Sequence, residues 1–369
     1  MLLMTVVFAA SAMACGPKAP GSLSEAAERI DWAGTPRLPS PDAGAYADGA
    51  EAPRDPALNA LLRGKHHDGA LAGAASALAL AAAEGVGGLT RWELREAAWR
   101  AGWPYPVADA RAWSVGDGLT PPRDLLTWVE QIPADEPMSL VRARGRDSDE
   151  WVGMAGWPPV QLGALPRVAN LGAPLLLPPV PGGVWRAADA SGALSEGSLE
   201  KGGSILLSSS GEWLVQVVQG DKEVARFPVY VGVNPATTPL LRLPNPMPQP
   251  SSGPDADALA RALLDHVRNA YGRPTLSASP MFDAAVQQYM RNPAAGSAAA
   301  LSAIGFRGAK GIVWACDDVT VENCFDNWVW DLRRREGLMS TTYDSYGLQT
   351  SLDGSGVHLT LLLVDAESG

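Results

Sequence analysis

Five prolines fall within eleven residues at Pro244-Asn245-Pro246-Met247-Pro248-Gln249-Pro250-Ser251-Ser252-Gly253-Pro254, and no regular element can run through them. Each proline lacks the amide hydrogen that a helix or an inner strand must donate, and it biases the residue before it toward extended backbone. The run reads as a semi-rigid spacer, assigned to residues 241–256, and it is the clearest domain boundary in the chain. The 369 residues, 46% of them hydrophobic, suffice for two or three cores on either side of it.

Upstream of the spacer the apolar period changes once. From Pro56 onward Leu58, Leu61 and Leu62, then Leu71, Ala75, Leu78 and Ala82, recur every three or four residues, which predicts packed helices. Gly85 to Gly88 stop that pattern, Thr90 with Glu93 reads as a capping box, and a second helix continues until Gly102 and Pro104. A third helix is expected over residues 122–130, followed by strands at Met138 to Ala143 and Trp151 to Ala155. Residues 56–165 therefore form a helical domain that finishes in strands. Between 166 and 240 the period becomes two, in short runs at Ser204 to Ser208, Trp213 to Val218 and Phe227 to Val233 separated by Ser-Gly and Gly-Asp turns. That is the profile of a small antiparallel β-sandwich, with Pro228 at an edge or strand start.

Downstream, Leu259, Leu263, Leu264 and Val267 mark a strong amphipathic helix, and Pro280 opens another over Met281 to Met290. A helix from about Val319 to Glu336 and a hairpin of Tyr343 to Leu352 with Val357 to Val364 complete the order helix, helix, strand, helix, strand, strand. The fold class expected for the whole chain is α+β and multidomain.

At the N-terminus the uncharged apolar run Met1 to Ser11 is too short to span a bilayer, which takes about 20 residues, but suits the apolar core of a secretory signal. It ends in Ala12-Met13-Ala14-Cys15-Gly16, which resembles the lipobox of bacterial lipoproteins. The resemblance implies removal of residues 1–14 as a signal peptide, acylation of Cys15 and attachment of the mature chain to a membrane. Gly16, standing where an inner-membrane retention signal places Asp, implies the outer membrane. Residues 15–55, rich in Gly, Pro, Ala and Asp, read as a disordered tether. With Cys15 acylated, Cys316 and Cys324 are left as the one candidate disulfide, and so short a loop would stabilise the fold by roughly 2–3 kcal/mol.

The strings beyond the spacer, Leu264-Asp265-His266-Val267-Arg268-Asn269-Ala270-Tyr271-Gly272-Arg273-Pro274-Thr275-Leu276, Phe282-Asp283-Ala284-Ala285-Val286-Gln287-Gln288-Tyr289-Met290 and Trp328 to Met339, together with Gly347, follow one another as in the CAP superfamily of cysteine-rich secretory, antigen 5 and pathogenesis-related proteins. Residues 257–367 resemble that superfamily, which implies an α-β-α domain. Many of its members hold a divalent metal between two His and two Glu. Here the first His position falls on Gln287 or Gln288, the second on Arg334, and the acidic stretch near Lys310-Gly311-Ile312, so the resemblance implies a cleft without its metal site.

Other motifs carry no chemistry. Ser198-Leu199-Glu200-Lys201 has the SxxK spacing but lies in a turn between strands, His66-His67 diverge on what reads as a solvated helix end, and His358 sits on a strand face or edge. Trp92 and Trp99 share one helix face and read as core. A net charge of -11 argues against nucleic acid as a partner. The expectation is an exported, lipid-anchored envelope protein with no cofactor, binding a protein, glycan or small molecule without catalysis. The alternative is a hydrolase or other enzyme acting on a cell-wall or extracellular polymer at a domain junction.

Overall fold

The structure is a computed structural model that describes residues 45–46, 58, 60–84, 91–116, 120–145, 148–233, 250–307, 310–354 and 356–366. The signal peptide, Cys15, the Thr90 cap and most of the proline spacer lie outside the described residues.

The first segment is more of a sheet than the helical period suggests. Strands β2 (His66–His67), β3 (Val107–Gly116), β4 (Pro137–Arg144) and β5 (Ser148–Gly156) form one sheet in the order β2-β4-β5-β3. Helices α1 (Gly69–Ala83) and α2 (Arg91–Ala101) pack on one face, and α3 (Arg123–Gln131) packs on the other with Trp113, Trp128 and Trp151. The expected solvated end at His66-His67 is corrected: the pair forms β2, parallel to β4, and His67 is buried. Helix α1 begins after it because the Asp68 side chain accepts hydrogen bonds from the Ala70 and Leu71 amides, at 2.8 and 3.0 Å. Strand β3 escapes a periodicity reading because Arg111 and Ser114 face solvent while Ala110 and Trp113 face inward with few strong apolar residues between them.

The tether is also corrected in part. Ala45–Tyr46 forms β1, antiparallel to β6 (Leu165–Pro166), and the Tyr46 hydroxyl donates to the Pro228 carbonyl at 2.6 Å from a fully buried position. One aromatic among Gly, Ala and Asp has no period to announce it, yet a buried Tyr with its hydroxyl bonded outweighs the local polarity.

Among its described residues the second segment consists of strands and turns, in line with its period of two. Strands β7 (Val168–Ala169), β9 (Gly183–Ala188), β10 (Leu194–Ser198), β12 (Gly211–Gln219) and β13 (Lys222–Val231) lie in the order β10-β9-β12-β13-β7, against a pair formed by β8 (Pro174–Leu177) and β11 (Gly203–Leu206). Pairing is antiparallel except between β13 and β7, which meet only at Tyr230 with Val168 and Val231 with Ala169. Pro228 thus has β12 on one side and no ladder partner on the other, as its missing amide hydrogen requires.

In the third segment the spacer yields to helix α4 (Gly253–Ala270) four residues earlier than expected, because Ser252 caps the Asp255 amide and Pro254 fits the first turn. Strands β14 (Ser277–Ala278), β15 (Lys310–Asp318), β16 (Ser345–Asp353) and β17 (Gly356–Asp365) form a sheet in the order β14-β16-β17-β15. Alternation along β17 places Val357, Leu359, Leu361 and Leu363 against α4, α7 (Val321–Trp330) and α8 (Leu332–Met339). Leu362 and Val364 face α5 (Pro280–Arg291) and α6 (Gly296–Ala303), completing three layers. The helix expected from Val319 to Glu336 is broken into α7 and α8, because Asp331 takes an extended conformation and its carboxylate accepts from the Arg333 and Arg334 amides. At Gly347 on β16 a Cβ would overlap the Phe282 backbone, so α5 can approach the sheet only over a glycine.

Segments one, two and three share one hydrophobic cluster, in which Trp99, Phe227 and Trp328 all take part. The domains expected from the sequence are lobes packed together.

Two cross-links hold the β15 end of the third sheet. Cys316 and Cys324 are bonded, with their Cα atoms 5.7 Å apart, and tie β15 to α7. Nearby, both ring nitrogens of His358 meet carboxylates at 2.7 Å, Asp317 on β15 and Asp353 at the end of β16. These two partners raise the His358 pKa above its ordinary value of 6.5.

Reduction, or the Cys324→Ser substitution under oxidising conditions, should lower unfolding free energy by about 2–3 kcal/mol in denaturant titration. A loss below about 0.5 kcal/mol would show that the loop is constrained without the bond. Because the His358 pKa is raised on folding, its contribution is fully present below the unfolded value and fades as pH rises through the folded one. An NMR titration should find the imidazole pKa above 6.5 and lowered in Asp353→Asn; equal values would mean the clamp is absent in solution.

Candidate functional site

The segments meet where α2 of the first and strands β9, β10, β12 and β13 of the second face the α7–α8 corner of the third. Arg95 on α2 donates to Asp326 on α7 at 2.6 Å, and its guanidinium lies 6.0 and 5.6 Å from the Trp99 and Trp330 rings. Those two rings meet edge to face at 4.7 Å across the junction, a contact that contributes about 0.5–1.5 kcal/mol beyond area burial. Trp99 is therefore core, as its place on the helix suggests, although it serves the joint between segments. Arg91 bonds Asp318 at 3.3 Å one turn away, and the Arg226 amide donates to the Pro104 carbonyl at 2.9 Å.

Beside this joint lies a cleft of about 430 Å³ whose walls carry Arg95, Arg186, Arg226, Arg333 and Arg334 against two carboxylates, Asp326 and Asp331. Glu223, to which Arg226 and Gln216 both donate, orients those two lining side chains. Glu196 stands 3.5 Å from Arg186 and 3.8 Å from Arg333, and Arg334 is 3.9 Å from Asp331. Each guanidinium has five N–H donors, so one carboxylate contact orients it and leaves donors over. The Arg226 Nε is buried with no hydrogen-bond partner among the described residues, and burial holds the Arg226 pKa below its ordinary value despite Glu223. Burial likewise pushes the Asp326 carboxyl up, against the pull of Arg95 and Arg226.

Such a cleft can hold an oxyanion, because planar guanidinium forks match carboxylate and phosphate geometry. Acid–base catalysis finds less support. Asp326 is tied to Arg95 and Asp331 to the α8 amides, so the two carboxylates are not a free proton-transfer pair. Among the described residues no three His, Cys, Asp or Glu side chains are grouped as a metal site.

Of the positions singled out from the sequence, Arg334 lies in this cleft. Gln287 and Gln288 do not join it: they are exposed on α5, on the opposite face of the sheet, where Gln287 reaches Gln349 at 3.5 Å. Lys310-Gly311-Ile312 opens β15. On α7, Glu322 is buried and its carboxyl pushed up by burial, while Asn323 donates to Asp318 at 2.8 Å. Ser198 accepts from the Glu200 amide in a turn, with Lys201 exposed, so the SxxK spacing has no helix to act on. Cys15 lies outside the described residues. Arg95, Arg186 and Arg226 carry no sequence signal, since Arg95 is one of three arginines along its helix and Arg186 and Arg226 each stand singly on a strand, where they read as solvated charges.

No protein-family model matches the chain, and no curated protein matches it. Among solved structures it is similar to a cysteine-rich secretory protein from Staphylococcus aureus, at 11% identity over 71% of this chain and 85% of that one. The TM-score is 0.25, too low for the likeness to carry any argument about fold or function.

Proposed function

We propose that this chain is an exported envelope protein, lipid-anchored at Cys15 and directed to the outer membrane, that binds an anionic ligand without catalysis. Its C-terminal segment is read as a CAP-like domain without the superfamily's metal site. The observation that carries the binding reading is the convergence of five arginines from all three segments on one cleft in a chain of net charge -11. The carboxylates of Asp326, Asp331, Glu223 and Glu196 offset four of these five positive charges, so the cleft keeps a net positive charge and guanidinium donors for an incoming anion. The lobed packing supports the same reading, because each segment contributes a wall that it could not form alone.

The enzyme reading draws on one observation, the buried Asp326 carboxyl whose Oδ2 has no hydrogen-bond partner among the described residues. An acid acting on a cell-wall or extracellular polymer would need a second group able to exchange protons at the same cleft, and Asp331 is committed to its helix cap.

Calorimetric titration with inorganic phosphate should show saturable binding that weakens with added salt. The double variant Arg186→Ala/Arg334→Ala should weaken it about tenfold, as expected for two partly exposed charge-assisted hydrogen bonds. Absence of saturable binding would refute the anion reading, and an unchanged affinity in the double variant would exclude Arg186 and Arg334 from the anion's contacts. Metabolic labelling with a palmitate analogue tests the anchor separately: Cys15→Ser should abolish incorporation, and unchanged labelling would remove the lipid attachment.

A further inference from the structure

A second, apolar pocket of about 220 Å³ adjoins the arginine cleft. Its walls are mainly apolar, with Leu94, Ala98 and Trp99 of α2 and Tyr105, Val107 and Ala110 from the turn into β3, while Arg91, Asp109 and Glu223 add charge at its edges and the Glu223 carboxylate is held by Arg226. Arg95 and Arg226 line both this pocket and the cleft, so the two guanidinium groups stand at the partition between an apolar chamber and a cationic one. The wall is shaped by a β-bulge: β3 pairs Val107 with Gly156 and Asp109 with Ala155, leaving Ala108 as the extra residue that faces the pocket. The walls are rigidly held, with the Tyr105 hydroxyl accepting from the Leu162 amide at 2.9 Å and the Asp109 carboxylate accepting from the Trp128 indole at 2.8 Å.

We infer that the ligand is a two-part molecule, an oxyanion carrying a ring-sized apolar group, with the anion against Arg95 and Arg226 and the apolar group in the pocket beside Trp99 and Tyr105. This deepens the anion-binding reading and rests on it. Size favours a ring over a long acyl chain, since an apolar cavity of about 150 Å³ is enough to take up benzene. The unpartnered Arg226 Nε is buried at the partition, where a bridging ligand would place its charge. Apolar walls supply transfer free energy and the few converging donors fix orientation, the usual division of labour in a small-molecule site.

The test compares phenyl phosphate, inorganic phosphate and phenol on the full chain by calorimetry. Phenyl phosphate should bind about tenfold or more tightly than inorganic phosphate, because of the two anions it alone buries a ring. Phenol alone should bind more weakly than either anion. Ala108→Phe, which fills the pocket, should abolish the preference for phenyl phosphate while inorganic phosphate binds as before. The wild-type comparison stands by itself if that variant does not fold. Equal affinities of the wild type for phenyl phosphate and inorganic phosphate would overturn this inference and leave the anion reading intact. Failure of both anions to bind would overturn both, and a preference that survives Ala108→Phe would remove the pocket assignment.

Discussion

The Arg335 guanidinium is buried between segments two and three, donating to Glu212 at 3.0 Å and to the Tyr271 hydroxyl at 3.3 Å, with its charge 4.5 Å from the Tyr271 ring. Arg335 is 1% exposed and Glu212 7%, so neither has water to fall back on. A buried pair of this kind adds little net stability when intact, but losing one partner costs about 3–5 kcal/mol because the other charge is stranded. It therefore acts as a condition on the assembly: the α7–α8 corner must dock where Glu212 of β12 waits, or two charges are left buried and unpaired. Arg273, which donates to the Ala190 carbonyl at 2.7 Å, adds a second directional contact across the same seam.

Once that seam is fixed, the rest of the junction follows. Trp330, 5.7 Å from the Arg335 guanidinium, is carried to Trp99 of the first segment, and Arg95 is carried to Asp326. Arg167 closes the remaining side by donating to the Arg100 carbonyl at 2.7 Å. These polar contacts are directional where the shared apolar cluster is not, so they select one mutual arrangement of the lobes. The arginine cleft and the apolar pocket exist only in that arrangement.

Legibility of the chain tracked the range of the interaction concerned. The hydrophobic alternation of β17, the amphipathic face of α4 and the turn chemistry around β12 and β13 are local, and they read correctly because neighbouring residues carry the whole signal. The break at Asp331 was missed because a helical period continues across it, and the gain from capping the two following amides is visible only when the α7–α8 bend is seen to serve docking. Strand β2 is illegible for a related reason: two histidines have no strand signature, and it is the edge of β4 that recruits them. Of the cleft, Arg334 alone was among the residues singled out, and it was expected beside Gln287 or Gln288, which lie across the sheet from it.

By itself the sequence determined where regular elements can form, where a run of prolines bars them, and that Cys316 and Cys324 are close enough along the chain to pair. Those properties depend on backbone restrictions, on periods of two and 3.6, and on short loop closure, all of which act over a few residues. Only the tertiary structure decided that three lobes share a core, that Tyr46 anchors the N-terminal stretch, and that arginines up to 239 residues apart in sequence face a single cleft. A lone arginine on a helix or strand looks the same whether it points at water or at another lobe. The difference lies in desolvation and in the partner charge opposite it, and neither is written in the neighbouring residues.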